Sequence, residues 1–197
     1  ALDRCHAGAS PNRMPVAIET TSYIEYPRSF RVDARMPSGP VVKVFSSDEC
    51  WVQDGRGVRE ASPAEAELMQ DTIQRDVIGL LLALAEGKVS AIRLPDVVEQ
   101  GRSLTAIGVG ASAMRGLVVL LLDPTTDLIR AQRYEATAVT GARETVEEQF
   151  SDYRSVNGLQ VAFAAVVQAA GVPVLTRQVR TFEYNVPLAA TLFTRPV

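Results

Sequence analysis

The side chains that most often carry out catalysis or bind metal ions are scarce in this chain. It has one histidine, His6, and two cysteines, Cys5 and Cys50. A structural zinc site needs four ligands at characteristic spacings, and these three residues do not supply them. In an oxidising compartment the two cysteines could form a disulfide; the alternative is two unpaired thiols with Cys50 packed inside. The sequence leaves both alternatives open and predicts no metal site.

Acidic residues come close together at Glu147, Glu148 and Asp152, where a pair of carboxylates could serve general acid–base chemistry. Adjacent residues of a strand point to opposite faces, so Glu147 and Glu148 cannot share one site. We therefore predict a solvated strand face here rather than a catalytic pair.

The segment Gly108-Val-Gly110-Ala-Ser112 has glycines spaced as in a phosphate-binding loop. It lacks the third glycine of G-x-G-x-x-G, and it stands between two strand-like runs rather than before a helix, so a hairpin loop is predicted. The patterns G-x-S-x-G, H-E-x-x-H and C-x-x-C do not occur. The sequence therefore predicts a chain that is not an enzyme and uses no cofactor.

Length and composition favour one β-rich domain. The chain has 197 residues, of which 47% are hydrophobic, and its net charge is −3 without a basic block. That balance argues against nucleic acid as a partner. The chain begins at Ala1 without a charged-then-apolar signal segment, so we expect either a processed protein or part of a longer one.

One predicted helix, Ser62 to Gly87, organises the rest of the chain. Ser62, Pro63 and Glu65 are typical of a helix start, and Gly87 is typical of a helix end. The first half is amphipathic, whereas Val77 to Ala85 is apolar on every side. Because about 20 residues are needed to cross a bilayer, this run is too short to span one. A helix that is apolar all round must be covered by protein, and we expect Leu81 and Leu84 to be buried against a sheet.

Nearly everything else predicts strands. Residues 1–14 are polar and are interpreted as a disordered or partial leader, and residues 15–197 as a single domain. Alternation predicts about ten strands, including one continuous strand at Val97–Val109 after a loop at Pro95-Asp96. Asp54-Gly55, Asp123–Asp127 and Asn157-Gly158 predict turns, the last being the strongest hairpin signal. The fold class is mainly β with α (α+β), a curved sheet folded around a central helix.

Several segments, taken in order, resemble the LolA/LolB-like lipoprotein-carrier fold. In the second half of the chain they are Asp123-Pro-Thr-Thr-Asp-Leu-Ile-Arg130, Phe150-Ser-Asp-Tyr-Arg-Ser-Val-Asn-Gly-Leu159, Phe182-Glu-Tyr-Asn-Val-Pro-Leu188 and Leu192-Phe193. Tyr26-Pro-Arg-Ser-Phe-Arg31 and Cys50-Trp-Val-Gln-Asp-Gly55 are similar to the early strands of that family. The resemblance covers roughly Tyr26 to the end. It extends to uncharacterised domains in bacterial exported proteins, some of which follow an insulinase-like zinc peptidase in one chain.

The resemblance implies an unclosed antiparallel β-barrel around helices, an apolar interior and a periplasmic or otherwise extracytoplasmic location. Together with the apolar helix it predicts a non-catalytic protein that binds a lipid, an acyl chain or a lipidated protein. The alternative is an accessory, protein-interacting domain of a larger exported zinc peptidase with no ligand of its own, its interior filled by its own helix. The predicted ligand-binding residues are apolar ones on the helix and on two strand runs: Val42, Val44, Ile73, Val77, Leu80, Leu81, Leu84, Val118, Leu120 and Leu122.

Overall fold

The computed structural model describes residues 2–7, 16–47, 49–110, 116–137 and 142–196. Within these ranges the first half of the chain forms six strands: β1 (Leu2–Ala7), β2 (Val16–Glu25), β3 (Ser29–Met36), β4 (Gly39–Phe45), β5 (Cys50–Asp54) and β6 (Gly57–Glu60). Two helices follow, α1 (Pro63–Arg75) and α2 (Val77–Ala85). Seven further strands are β7 (Ser90–Glu99), β8 (Arg102–Gly110), β9 (Val118–Leu122), β10 (Ile129–Thr137), β11 (Arg143–Val156), β12 (Leu159–Ala169) and β13 (Val172–Thr181). Residues 182–196 form a C-terminal tail after β13, and a short 3-10 helix, Ala190–Leu192, lies within it.

All thirteen strands belong to one antiparallel sheet with the order β6-β5-β4-β3-β2-β1-β13-β12-β11-β10-β9-β8-β7. The chain starts in the middle at β1 and runs outward strand by strand to the edge strand β6. The helices connect β6 to β7 at the opposite edge, and the remaining strands return to β13 beside β1. Between the described residues of β6 and β7 there is no strand pairing, so the sheet is open. The predicted α+β class and the unclosed antiparallel sheet are confirmed.

The predicted leader is partly a strand. Leu2–Ala7 pairs antiparallel with both β2 and β13 and so joins the two halves of the sheet; residues 1 and 8–14 lie outside the described ranges. The thiol of Cys50 on β5 is free, and three strands lie between β5 and β1. At about 4.8 Å per strand, Cys5 and Cys50 are ~19 Å apart along the sheet, against ~4.4–6.8 Å between the Cα atoms of a disulfide. The alternative with an unpaired Cys50 is therefore the one that the structure supports.

The turn predictions rest on local chemistry, and the structure confirms them. Asn157 and Gly158 have φ values of 45° and 90° between β11 and β12, which suits a two-residue hairpin turn with both central residues at positive φ. The prediction of one strand over Val97–Val109 was wrong, since β7 and β8 form a hairpin around Gln100 and Gly101. Pro95 lies inside β7, where the register shifts between Leu94 and Val97. An edge strand tolerates a proline at such an irregularity because its outer N–H groups have no partner strand.

The helix start was predicted correctly. The backbone N–H of Glu65 donates to Ser62 Oγ (3.4 Å), and the N–H of Ser62 donates to Glu65 Oε2 (2.9 Å). The guanidinium of Arg59 pairs with Glu65 at 2.8 Å and, as the main cause, holds the pKa of that carboxyl well below its usual range. Gly87 follows α2 at φ 69° and donates to the carbonyl oxygen of Leu84 (3.1 Å), as expected at a helix C-terminus.

The expected single helix is broken at Asp76, and α2 is not enclosed on all sides. Leu80 is 2% exposed, whereas Leu81 and Leu82 are 47% and 45% exposed. The expectation that Leu81 is buried was therefore wrong, and Leu84 is only half-buried. In a helix that lies on one face of a sheet, only one stripe of side chains points inward, and the others face solvent whatever their polarity.

We expect Leu80→Ala to lower the free energy of unfolding by about 2–5 kcal/mol, because it leaves a cavity in the core. The matched variant Leu81→Ala, one residue further along the helix, should change it by no more than about 0.5 kcal/mol. Urea denaturation of both variants measures the difference. Equal losses would contradict the assigned orientation of α2.

Candidate functional site

Leu80 of α2 packs against a group of apolar side chains from five consecutive strands. We call this group the α2 cluster; its buried members are Leu80, Val109, Val118, Leu120, Ile129, Phe150 and Ala165. Val77 and Leu122 are half-buried against it. Of the apolar clusters in the described part of the chain it has the most buried members, and α2 covers it through Leu80 and Val77.

The structure therefore brings five of the ten predicted binding residues together: Val77, Leu80, Val118, Leu120 and Leu122. Ile73 of α1 is buried at 6% exposure, Leu84 is half-buried, and Leu81 points outward. Val42 and Val44 belong to a different cluster, with Trp51 and Phe193. The sequence of the apolar run Val41–Phe45 does not indicate which side of the sheet each valine faces.

The C-terminal tail explains the burial of Val44, which is 0% exposed. Phe193 of the tail is buried against Val44 and Trp51. Trp51 Nε1 donates to the carbonyl oxygen of Phe193 (3.2 Å), and Arg31 Nη1 donates to that of Leu192 (2.8 Å). The tail therefore covers β3–β5, and side chains of β3 and β5 donate hydrogen bonds to its backbone carbonyl oxygens.

A buried polar group adjoins the α2 cluster, and sequence reasoning missed it. Glu148 is 9% exposed and Gln132 is 4% exposed. Gln132 Nε2 donates to Glu148 Oε2 (2.8 Å), and Arg177 Nη2 pairs with Glu148 Oε1 (2.9 Å). We call Gln132, Glu148 and Arg177 the polar triad. The solvated strand face predicted for Glu148 was wrong.

Strand alternation explains the burial of Glu148. It lies between Val146 and Phe150 on the covered face of β11, and both of these residues are buried. Glu147 faces the other side, where Arg133 Nε donates to its carboxylate (2.5 Å). The prediction that Glu147 and Glu148 cannot share a site is confirmed. The apolar residues two positions before and after Glu148 were the sequence signal of its burial.

One atom of the polar triad has no partner. Gln132 Oε1 is buried and accepts no hydrogen bond. The orientation of this amide is determined by its neighbour, because an ionised carboxylate accepts hydrogen bonds and only the Nε2 end can donate to it. Leaving a buried acceptor unpaired costs about 1–3 kcal/mol.

Tyr134 and Arg75 connect the polar triad to α1. The Arg75 guanidinium lies 4.6 Å from the centroid of the Tyr134 ring and pairs with Asp71 at 2.8 Å. Burial, and then the charge of Glu148, raises the pKa of Tyr134. A cavity of about 10 Å³ lies beside Tyr134 and Arg75, which is room for about one water molecule. The helices therefore close this end of the covered face.

A second contact holds the junction of α1 and α2. The hydroxyl of Tyr26, in the β2–β3 turn, donates to Asp76 Oδ1, which also accepts from the N–H of Gly79 (3.1 Å). Burial, followed by the charge of Asp76, raises the pKa of Tyr26. A Cβ atom at Gly79 would lie 3.0 Å from the Tyr26 ring, so this glycine lets α2 approach the turn.

A broad depression of about 730 Å³ lies on the surface beside the tail, lined by Glu49, Cys50, Trp51, Val58, Glu60, Arg195 and Pro196. Cys50 is its one candidate nucleophile. Burial raises the pKa of the Cys50 thiol, and a thiol that stays protonated is a poor nucleophile. In the described ranges no group of three or more His, Cys, Asp or Glu side chains could hold a metal ion.

We expect alkaline pH to weaken the Tyr26 contact. A tyrosine whose folded-state pKa is raised stabilises the fold fully below its unfolded pKa, about 10, and loses that contribution as the pH rises above it. The midpoint of urea denaturation should therefore fall above about pH 10 in the wild type and fall less steeply in Tyr26→Phe. Identical pH profiles would contradict the buried, Asp76-paired state of Tyr26.

No family model matches this chain, and no curated protein matches it by sequence. Solved structures do match it by fold. A domain described as an outer-membrane lipoprotein-sorting protein from Vibrio parahaemolyticus has a TM-score of 0.60 at 10% sequence identity, and the match covers 98% of this chain and 87% of that one. A LolA superfamily protein from Nitrosomonas europaea, at 11% identity, matches with the same TM-score and the same coverage. A DUF1329 family protein from Desulfovibrio piger matches with the same score and coverage at 10% identity.

These matches span the open sheet and both helices, because 98% of the chain is covered. At such low identity they establish the architecture alone. None of the helices in the described ranges is long and apolar enough to cross a membrane. The chain has the LolA-like fold.

Proposed function

We propose that this chain is a non-catalytic binding protein for a hydrophobic ligand: a lipid, an acyl chain or a lipidated protein. The observation that carries the proposal is the α2 cluster, an apolar surface drawn from five strands and covered by a single short helix. The names of the structural neighbours, lipoprotein sorting and LolA superfamily, support the same class of ligand.

The ligand would take the place of α2 rather than fill an existing cavity. Leu80, Val118 and Leu120 are packed together at no more than 3% exposure, so an acyl chain reaches them only when α2 moves. Each methylene that an acyl chain buries contributes about 0.8 kcal/mol. A long chain can therefore offset the loss of the contacts made by Leu80 and Val77.

The helix is suited to such a movement. Leu80 is its one buried residue, and Leu81 and Leu82 already face solvent. Its N-terminus is separated from α1 by Asp76, which adopts an extended backbone conformation (φ −59°, ψ 129°). An element with few buried contacts and a break at its start opens at lower free energy than the strands beneath it.

The remaining features of the proposal follow from this role. We propose that the strands from β1 to β13 act as one domain, which extends the predicted domain of residues 15–197 by the strand that joins its two halves. We also propose that the protein works in the periplasm or another extracytoplasmic compartment and that it is not an enzyme. The Cys50 thiol and the polar triad lack the paired nucleophile and base that covalent catalysis needs.

A second function, a protein-interaction domain, has one observation in its favour. The adjacent residues Leu81 and Leu82 of α2 are 47% and 45% exposed, and Leu68 of α1 is 60% exposed; exposed apolar side chains that form a patch mark contact surfaces. That such a surface would serve a larger chain that contains a zinc peptidase stays a prediction from the resemblance.

To distinguish the two functions, the purified protein is delipidated and titrated with a fluorescent fatty-acid probe. If the first proposal is right, the probe binds saturably, and hydrogen exchange of the α2 amides becomes faster on binding, because the helix leaves the sheet. Absence of binding to the folded protein would leave the interaction-domain function. Mass spectrometry of the lipid extract shows whether a natural ligand was carried through purification.

We expect Leu120→Gln to weaken probe binding at least about tenfold, because a polar side chain would face the acyl chain. The control is Leu121→Gln on the same strand. Leu121 is 0% exposed but packs in a different cluster, with Leu104, Ala106 and Ala131, so it should lose similar stability and keep its affinity for the probe.

Should both strand variants fail to fold, the half-buried Leu84 and the exposed Leu82 provide a milder pair. Because the proposal has α2 leave the sheet, Leu84→Gln should lower the free energy of that movement and strengthen binding, whereas Leu82→Gln should leave binding unchanged. Equal effects of the two members of either pair would place the ligand elsewhere.

A further inference from the structure

The unpartnered oxygen of Gln132 points to a specific ligand chemistry. Gln132 is 4% exposed, and its Oε1 atom is the one buried side-chain N or O atom in the described ranges that has no hydrogen-bond partner. Buried polar atoms in folded proteins are almost always paired, so an unpaired one calls for an explanation. A ligand group that donates a hydrogen bond would supply the missing partner.

The position of Gln132 places this oxygen at the border of the apolar surface. On β10 it is paired with Leu120 of β9, a member of the α2 cluster. Tyr134, two residues further along the same face of β10, packs against that cluster. An amphiphile whose chain lies along the α2 cluster could therefore place its polar end beside Gln132.

The charges of the polar triad decide which polar end fits. Glu148 is compensated by Arg177 at 2.9 Å and by the amide of Gln132 at 2.8 Å, so the site does not need a cationic ligand. The remaining Oε1 atom of Gln132 is uncharged and can only accept a hydrogen bond. An ester has no proton to donate, and neither has an ionised carboxylate.

We propose that Gln132 Oε1 accepts a hydrogen bond from the head group of a bound amphiphile, so that this chain prefers ligands with a hydroxyl or amide N–H at the polar end over ligands that only accept. The inference rests on the proposed binding of a hydrophobic ligand, and it adds the chemical class of the head group. Glu148 and Arg177 are positioning residues in it, since they orient the Gln132 amide and do not touch the ligand.

The test is competition against the fluorescent fatty-acid probe with a fatty alcohol, a primary fatty amide and a fatty methyl ester of one chain length. These ligands differ in hydrophobicity, so the decisive quantity is how their relative affinities change between wild type and Gln132→Met. The affinity of each donor ligand divided by that of the ester should be about tenfold higher in the wild type than in Gln132→Met. One hydrogen bond to a buried acceptor contributes about that factor.

Gln149→Met is the matched control. Gln149 also donates its side-chain amide to a glutamate, Glu147 (2.6 Å), but it shares a face of β11 with Glu147 and not with Glu148. This variant should keep the donor preference of the wild type. A purely structural role of Gln132 would alter the affinity for all three ligands alike and leave their ratios unchanged.

A measurement on the wild type covers the case in which Gln132→Met fails to fold. The ¹³C shift of the Gln132 side-chain carbonyl should change when the alcohol or amide binds, and not when the ester binds. Equal shifts, or unchanged ratios in a folded Gln132→Met, would overturn the inference and leave a water molecule as the partner of Oε1. If none of the ligands, and not even the probe, binds, the proposed function fails and the inference fails with it.

Discussion

The constraint on which this structure depends is that the chain must cross from one edge of the sheet to the other. β6 and β7 are the two edge strands, and the only connection between them is the helical segment. With 13 and 9 residues, α1 and α2 are about 20 and 14 Å long. Between the two edges the helices lie over one face of the sheet, and their side chains cover apolar residues of that face. The apolar character of α2 serves this crossing, although only Leu80 of that helix becomes fully buried.

The covered face combines an apolar surface with a polar one. Val118, Leu120 and Phe150 supply the first, while Gln132, Glu148 and Arg177 supply the second. Burying a charge is costly unless it is paired, and the two partners of Glu148 meet that requirement. The same arrangement leaves one acceptor without a partner. A surface of this kind suits an amphiphile better than a pure hydrocarbon, because it offers distinct places for the chain and for the head group.

The opposite face of the second half of the sheet is tied together across its strands. Arg133 of β10 bridges Glu99 of β7 and Glu147 of β11, above the cluster formed by Leu104, Ala106, Leu121 and Ala131. In the first half the tail covers β3–β5 through Phe193. The strands are therefore supported by contacts that do not involve the helices. A movement of α2 would leave these contacts intact, so ligand binding and stability of the sheet can be largely independent.

Local chemistry in the sequence determined the helix cap at Ser62 and Glu65, the end at Gly87 and the hairpin at Asn157-Gly158, because each depends on residues a few positions apart. The alternating strands and the α+β class followed from the same short-range patterns. Tertiary structure decided the rest. Leu80 rather than Leu81 is buried, and the break between the helices at Asp76 is contacted by Tyr26, 50 residues earlier in the chain. The apolar neighbours Val146 and Phe150 indicate the burial of Glu148, but its partners Gln132 and Arg177 lie on the neighbouring strand β10 and on β13. Pairings over such separations depend on strand register, which the residues on either side of a position do not encode.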